Sequence, residues 1–102
     1  MSPPRVVAVA CFVVAIVTPA AAADPERGKD IAKRWCATCH IVERGTTSGT
    51  DQAPPFAQLA RRPNFDQNTL AFLLLMPHPS MPTVSLNRDE VGNLADYIRS
   101  LK

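Results

Sequence analysis

A basic stripe and a large stock of bulky apolar residues are both missing from this 102-residue chain. Eleven lysines and arginines stand against nine aspartates and glutamates without forming a basic run, so nucleic acid is not an expected partner. Bulky apolar residues are few outside the predicted helices, and a domain of roughly 80 residues is only marginally stable from burial alone. The core therefore needs support from something besides its own side chains.

The apolar run Val6–Val17 is about a dozen residues long and is too short to span a bilayer. A basic residue precedes it and the small residues Ala20–Ala23 follow it, a pattern typical of a secretory signal peptide. We predict a signal peptide at residues 1–23, cleaved after Ala23, and one domain at residues 24–102, exported to the periplasm. A membrane anchor formed by the uncleaved segment is the alternative.

Two cysteines and a histidine form the most specific motif of the chain. Cys36 and Cys39 lie three residues apart and His40 follows directly, which is the attachment signal for a c-type haem. On one helical turn, residues i and i+3 face the same way, so both sulfurs can bond to the two vinyl edges of one macrocycle. The adjacent imidazole can then bind the iron. We predict one haem c, covalently bound through Cys36 and Cys39, with His40 as an iron ligand.

Two other kinds of site use the same residue types. A redox dithiol is expected in a βαβ context, and no strand-like alternation flanks the motif. A zinc site needs four ligands, which Cys36, Cys39, His40 and His78 could supply, but no zinc-finger spacing fits them. Export favours haem, because covalent c-type haem is made in oxidising compartments, and Cys11 would leave with the signal peptide.

The mature domain is predicted to begin with a helix. Asp24-Pro25-Glu26 predicts its start, since aspartate caps helices and proline suits the first helical position. Ile31, Ala32 and Trp35 form its predicted inner face. Gly28 lies on that face, which predicts a close crossing with a helix near the C-terminus.

Three further helices are predicted downstream. A short one is predicted from Phe56, Leu59 and Ala60 and ends near residues 61–63. The next spans residues 64–76 with Asn64 or Asp66 as its cap. The helix at 64–76 is apolar on more than one side, which predicts that it is buried. The last helix begins at a capping box, residues 87–90, and its apolar residues recur at helical spacing: Val91, Leu94, Tyr97, Ile98 and Leu101.

A second iron ligand is predicted in the loop at residues 77–82, where three prolines in six residues forbid a helix. Met81 lies between two of these prolines, which hold its backbone at little entropic cost. Met76, His78 and an open coordination position are the alternatives. Met76 falls at the end of a helix, where a methionine more often packs in the core. His78 lies between two prolines and suits a surface position or a bond to a propionate as well as it suits an iron ligand.

Together these features resemble a class I cytochrome c of the bacterial periplasmic type. The specific parts are residues 36–40, Ser80-Met81-Pro82 and residues 96–101. The resemblance implies an all-α cytochrome c fold of three to five short helices around one covalent haem, with the N- and C-terminal helices crossing. It also implies His40 and Met81 as the two iron ligands.

Two details of the resemblance concern individual contacts. The family usually has an aromatic residue where this chain has Ala32, so Trp35 or Tyr97 is expected to fill the crossing instead. The segment Ala53–Phe56 resembles the family's Gly-Pro-x-Leu segment, which implies that the Pro54 carbonyl accepts a hydrogen bond from the His40 ring. Pro55 is the alternative acceptor.

A haem with two protein ligands has no position for a substrate, so we expect a one-electron carrier and not an enzyme. Its expected partners are periplasmic or membrane-bound redox proteins that a monomer meets in transient contacts. An electron-transfer subunit of a dehydrogenase or oxidase complex is one alternative. A five-coordinate haem protein that binds gas or acts as a peroxidase is another.

Overall fold

The computed structural model describes residues 1–17, 22–45, 53–76 and 83–102. Within these ranges the protein contains helices and no strand, which confirms the predicted all-α fold. A π-helical segment, Ala32–Cys36, continues the first helix directly. The four α-helices are α1 (Pro25–Ile31), α2 (Phe56–Ala60), α3 (Gln67–Leu75) and α4 (Arg88–Ser100).

The start of α1 is fixed by Asp24, as predicted. The Asp24 carboxylate accepts hydrogen bonds from the backbone nitrogens of Glu26 at 3.0 Å and Arg27 at 3.4 Å, and Pro25 occupies the first helical position. The backbone nitrogen of Asp24 donates to Oδ1 of Asn93 in α4, at 2.8 Å. The first residue of the helical domain is therefore tied to the last helix.

Helices α1 and α4 cross at Gly28, which confirms the predicted close contact. A Cβ atom placed on Gly28 would lie 2.0 Å from the Asn93 carbonyl oxygen and 2.8 Å from Cβ of Tyr97. Such distances leave no room for a side chain, so glycine is required here for its size. One turn later, Ala32 is completely buried. Helix α1 leads through the π-helical segment into the haem-attachment motif, so this crossing lies close to the motif along the chain on the α1 side.

Helix α4 has both a defined start and a defined inner face. Asn87 and Glu90 form the predicted capping box, with Glu90 N donating to Asn87 Oδ1 at 2.9 Å and Asn87 N donating to Glu90 Oε2 at 2.8 Å. Its buried residues, which follow the helical period and include four of the five predicted ones, are Val91, Gly92, Leu94, Ala95, Tyr97 and Ile98. The fifth, Leu101, follows the helix and is only partly buried. This helix is the centre of the protein core.

Helix α3 is shorter than predicted. It begins after Asp66, whose carboxylate accepts a hydrogen bond from Thr69 N at 2.8 Å. Asn64 has a φ of 58° and so lies outside the helix. At the other end, Met76 is extended because Pro77 follows it in the sequence and disfavours a helical conformation for the preceding residue.

The prediction that this helix is buried is wrong for much of its surface. Leu70 is buried, but Phe72 is 61% exposed and Leu75 is 83% exposed. The physical reason is that α3 packs chiefly against α4, so only one side of an apolar helix meets protein. Its remaining apolar side chains have no polypeptide cover among the described residues.

Residues 1–17 contain no helix and are exposed throughout. None of the helices in the described ranges is long and apolar enough to cross a bilayer. The predicted signal peptide and its cleavage after Ala23 stay predictions.

Candidate haem site

The structure brings the three residues of the attachment motif into one turn at the end of the π-helical segment. The Cys36 carbonyl oxygen accepts hydrogen bonds from the backbone nitrogens of Cys39 at 3.2 Å and His40 at 2.9 Å. The π-turn itself closes with Ala37 N donating to Ala32 O at 3.0 Å, which links the motif to the buried face of α1. One hydrogen-bonded backbone turn thus contains both cysteines and the histidine.

The His40 ring is held by the segment that precedes α2. Its Nδ1 lies 2.6 Å from the Pro54 carbonyl oxygen. A carbonyl oxygen can only accept, so Nδ1 carries the hydrogen and Nε2 is the nitrogen left to bind a metal. The ring also contacts Phe56, with centroids 5.2 Å apart and planes tilted by 49°. The ring orientation is therefore fixed by a hydrogen bond on one nitrogen and an aromatic contact.

Of the two prolines considered as acceptors, the structure places Pro54 at the histidine. The Pro55 carbonyl is used differently, accepting hydrogen bonds from the backbone nitrogens of Gln58 at 2.9 Å and Leu59 at 3.1 Å at the start of α2. A further backbone bond, Phe56 N to Ile41 O at 3.0 Å, ties the same segment to the residue after His40. Two consecutive residues of the motif region therefore contact the start of α2.

The electrostatics of Cys36 do not favour the dithiol alternative. Burial raises the pKa of the Cys36 thiol to about 11. Catalytic thiols of dithiol enzymes instead have lowered pKa values, because the thiolate is the nucleophile. The zinc alternative gains nothing either, since the described ranges contain no group of three or more His, Cys, Asp or Glu side chains placed to hold a metal ion. His78 lies outside the described residues.

An exposed apolar stripe on α3 fits a large apolar cofactor. Phe72 and Leu75 are 61% and 83% exposed, and their i, i+3 spacing places them along one side of α3. Met76, directly after the helix, is 49% exposed. Exposing three such side chains in water is unfavourable, and a flat apolar macrocycle would cover them. The chain thus supplies two thiols, an imidazole and an exposed apolar stripe, which are residue types that a covalent haem could use.

The two aromatic residues considered for the helix crossing behave differently. Trp35 is 54% exposed, so its predicted place on the inner face is wrong. The π-helical segment that contains Trp35 changes the angular spacing of α1, which shifts the face on which later residues lie. Tyr97 is 6% exposed and packs at the Gly28 crossing. Of the two aromatic residues expected at the crossing, the structure therefore places Tyr97 there.

Met81 lies outside the described residues, together with the rest of the loop at residues 77–82. Its assignment as second iron ligand stays a prediction.

Two contacts that the sequence did not predict join the motif region to α4. The Tyr97 hydroxyl donates to the Val42 carbonyl at 2.6 Å, and Arg44 donates to backbone carbonyls after α4. No periodic signal marks either pairing, because the partners are more than fifty residues apart.

Comparison with known proteins places the chain in a family. Residues 25–102 match the family profile described as Cytochrome c. The chain therefore belongs to the cytochrome c family, as a class I c-type cytochrome, and membership implies a covalently bound haem c.

Among curated proteins, the chain is similar to cytochrome c-552 of Bradyrhizobium diazoefficiens (strain JCM 10833 / BCRC 13528 / IAM 13628 / NBRC 14792 / USDA 110). The two are 48% identical over 95 residues, which covers 90% of this chain and 91% of the relative. A match of that length extends beyond residues 25–102, so the likeness includes part of the predicted signal peptide. No solved structure matches the chain significantly.

Proposed function

We propose that this protein is a one-electron carrier of the periplasm, in which Cys36 and Cys39 would hold one haem c and His40 and Met81 would bind its iron. The observation that carries the proposal is the 2.6 Å contact between His40 Nδ1 and the Pro54 carbonyl, which leaves Nε2 for the metal. Membership of the cytochrome c family supports the haem itself. The residues around the motif supply attachment, orientation and apolar cover.

When bound, the haem supplies an iron that changes its oxidation state by one electron. Cys36 and Cys39 would hold the macrocycle at the end of the π-turn, because both cysteines belong to the same hydrogen-bonded backbone turn. The Pro54 carbonyl fixes the tautomer and direction of the His40 ring and makes its other nitrogen a stronger donor to metal. Phe72 and Leu75 would exclude water from the ring face.

The second ligand decides between a carrier and a reactive haem protein. With Met81 bound, no coordination position is open to a substrate, and a methionine opposite histidine raises the reduction potential. The prolines beside Met81 in the sequence support this assignment. The partners we propose are periplasmic or membrane-bound redox proteins, met transiently by a monomer.

Replacement of both cysteines tests the attachment. Cys36→Ser with Cys39→Ser removes both sulfurs, so we expect no haem to survive acid–acetone extraction of the purified protein, whereas the wild-type protein keeps its haem. Haem that still resisted extraction from the double variant would contradict attachment through these residues.

Replacement of Met81 tests the ligand set. In Met81→Ala we expect loss of the sulfur-to-iron band in the near infrared, a lower potential and binding of carbon monoxide or cyanide. His78→Ala and Met76→Ala are the matched controls, and both should keep the band. If Met81→Ala keeps the band and the potential, another sulfur binds the iron and the assignment to Met81 is wrong. A wild-type protein that shows no band, and whose potential changes in His78→Ala but not in Met81→Ala, would instead mean that two histidines bind the iron.

A further inference from the structure

The residues just after His40 are fastened to the helix pair α1–α4 by side chains from both helices. Val42 is buried at 3% exposure, and its carbonyl oxygen accepts a hydrogen bond from the hydroxyl of Tyr97 at 2.6 Å. Burial raises the pKa of Tyr97, so its hydroxyl remains a donor at neutral pH. A buried carbonyl without a partner is costly, so this bond holds the backbone two residues from His40 in place.

Arg44 makes the second fastening. Its Nε donates to the Leu101 carbonyl at 3.1 Å and its Nη2 donates to the Lys102 carbonyl. Carbonyl groups at the end of a helix lack partners within the helix, and a cationic donor there is favoured by the helix dipole. Between the two, Glu43 pairs with Lys29 at 3.3 Å and with Lys33 at 3.7 Å. These ion pairs are partly exposed and contribute less than the buried hydrogen bond.

The other side of the same chain segment is held by the start of α2. The His40 ring contacts the Pro54 carbonyl, and the Ile41 carbonyl accepts a hydrogen bond from Phe56 N at 3.0 Å. Residues 40–44 therefore make hydrogen bonds and ion pairs on two sides, with the start of α2 and with the crossed helices α1 and α4. A shift at residues 42–44 cannot be absorbed freely by the short connection to His40.

We propose that Tyr97 and Arg44 are positioning residues for His40, which hold residues 42–44 against α1 and α4 and thereby fix the imidazole that faces the iron. The proposal rests on the function proposed above. It couples the C-terminal end of α4 to the metal ligand through two hydrogen-bonding side chains. Neither side chain is a haem ligand in that scheme, so each can be changed while the haem stays attached.

The test uses the purified, haem-loaded protein with two variants. Tyr97→Phe removes only the hydroxyl, and Arg44→Met replaces the apolar stem of arginine with one of similar size but removes the donors. Two readouts report on His40: the hyperfine shifts of the haem methyl groups in the oxidised protein and hydrogen exchange of the Phe56 amide. We expect a changed pattern of methyl shifts in both variants. Relative to amides within α4, we expect the Phe56 amide to exchange about tenfold faster in Tyr97→Phe.

Two control variants separate positioning from general destabilisation. Asn87→Ala removes a cap at the far end of α4, so it should lower stability without changing the methyl pattern or the relative exchange of Phe56. Arg44→Lys keeps a cationic donor and should restore most of the wild-type pattern.

Wild-type methyl shifts and relative exchange in Tyr97→Phe and Arg44→Met would overturn the proposal, and so would equal changes in Asn87→Ala. Because all these variants keep the attachment motif, such results would leave the proposed haem attachment standing. Loss of covalent haem is tested separately by the double cysteine variant.

Discussion

Helices α3 and α4 both carry several apolar side chains, but only α4 buries nearly all of its apolar side chains against the rest of the polypeptide. Helix α4 has a polar side, a capping box and six buried residues, and it packs against α1, α2 and α3. Helix α3 is apolar nearly all round but buries only Leu70 and packs chiefly against α4. The difference indicates that α4 is shaped by contacts within the chain, and we propose that the exposed apolar side of α3 contacts the haem.

The largest loss of stability is expected where α4 packs against α1. Gly28→Val would force a side chain into the space held by the Asn93 carbonyl, where even a Cβ would lie at 2.0 Å. We expect the free energy of unfolding of the haem-loaded protein to fall by about 2 kcal/mol or more through overpacking. Chemical denaturation followed by circular dichroism measures this change.

Gly92→Ala is the matched control for that variant. Gly92 is also buried, but a Cβ there would meet only the end of the Gln67 side chain, at 3.2 Å. A flexible side chain can move by a few tenths of an ångström, so we expect a much smaller loss. Equal stability of Gly28→Val and the wild-type protein would show that the helices do not cross as closely as described.

An intermediate effect is expected on the exposed stripe of α3. Phe72→Ala should lower the free energy of unfolding of the haem-loaded protein by at least about 1.5 kcal/mol, because haem would bury this side chain. Surface substitutions usually change stability by only about 0.5 kcal/mol. Gln58→Ala, at an exposed position of α2, provides that reference in the same denaturation experiment. A Phe72→Ala loss no larger than the reference would remove α3 from the haem contact.

The smallest effect concerns the cap of α3 and its dependence on pH. The hydrogen bond from Thr69 N lowers the pKa of the Asp66 carboxyl below its ordinary value near 3.8. A carboxyl with a lowered pKa stabilises the folded protein above its unfolded pKa, and that contribution is lost as pH falls through the folded pKa.

Asp66→Asn keeps a good capping side chain but does not titrate. We expect the variant to lose slightly less melting temperature than the wild-type protein between pH 5 and about pH 3, the window around the carboxyl pKa. An identical loss in both proteins would mean that the cap does not contribute to acid sensitivity.

Local patterns predicted the elements whose contacts are near in sequence. The Asp24 cap, the Asn87–Glu90 box and the Gly28 crossing each follow from a short motif or a helical period, and the structure has all three. The burial of α3 could not be predicted correctly, because periodicity shows which residues are apolar but not what covers them. The exposure of Trp35 also could not, since nothing in the sequence signals a π-turn.

The candidate site divides in the same way. The attachment motif is local and was evident from Cys36, Cys39 and His40. The Pro54 contact was implied only by resemblance to a family, because residues fourteen positions apart share no local signal. The Tyr97 and Arg44 contacts join residues more than fifty positions apart and depend on the packed fold.

The bond between Asp24 N and Asn93 Oδ1 lies at the predicted first residue of the mature domain. If the leader is removed after Ala23, this nitrogen becomes the free amino group of the mature protein, and a charged ammonium then donates to the amide oxygen of α4. A cut one residue earlier would move that charge outward and leave a neutral amide in its place. The position of the cleavage site would therefore change the strength of one hydrogen bond between the two ends of the domain.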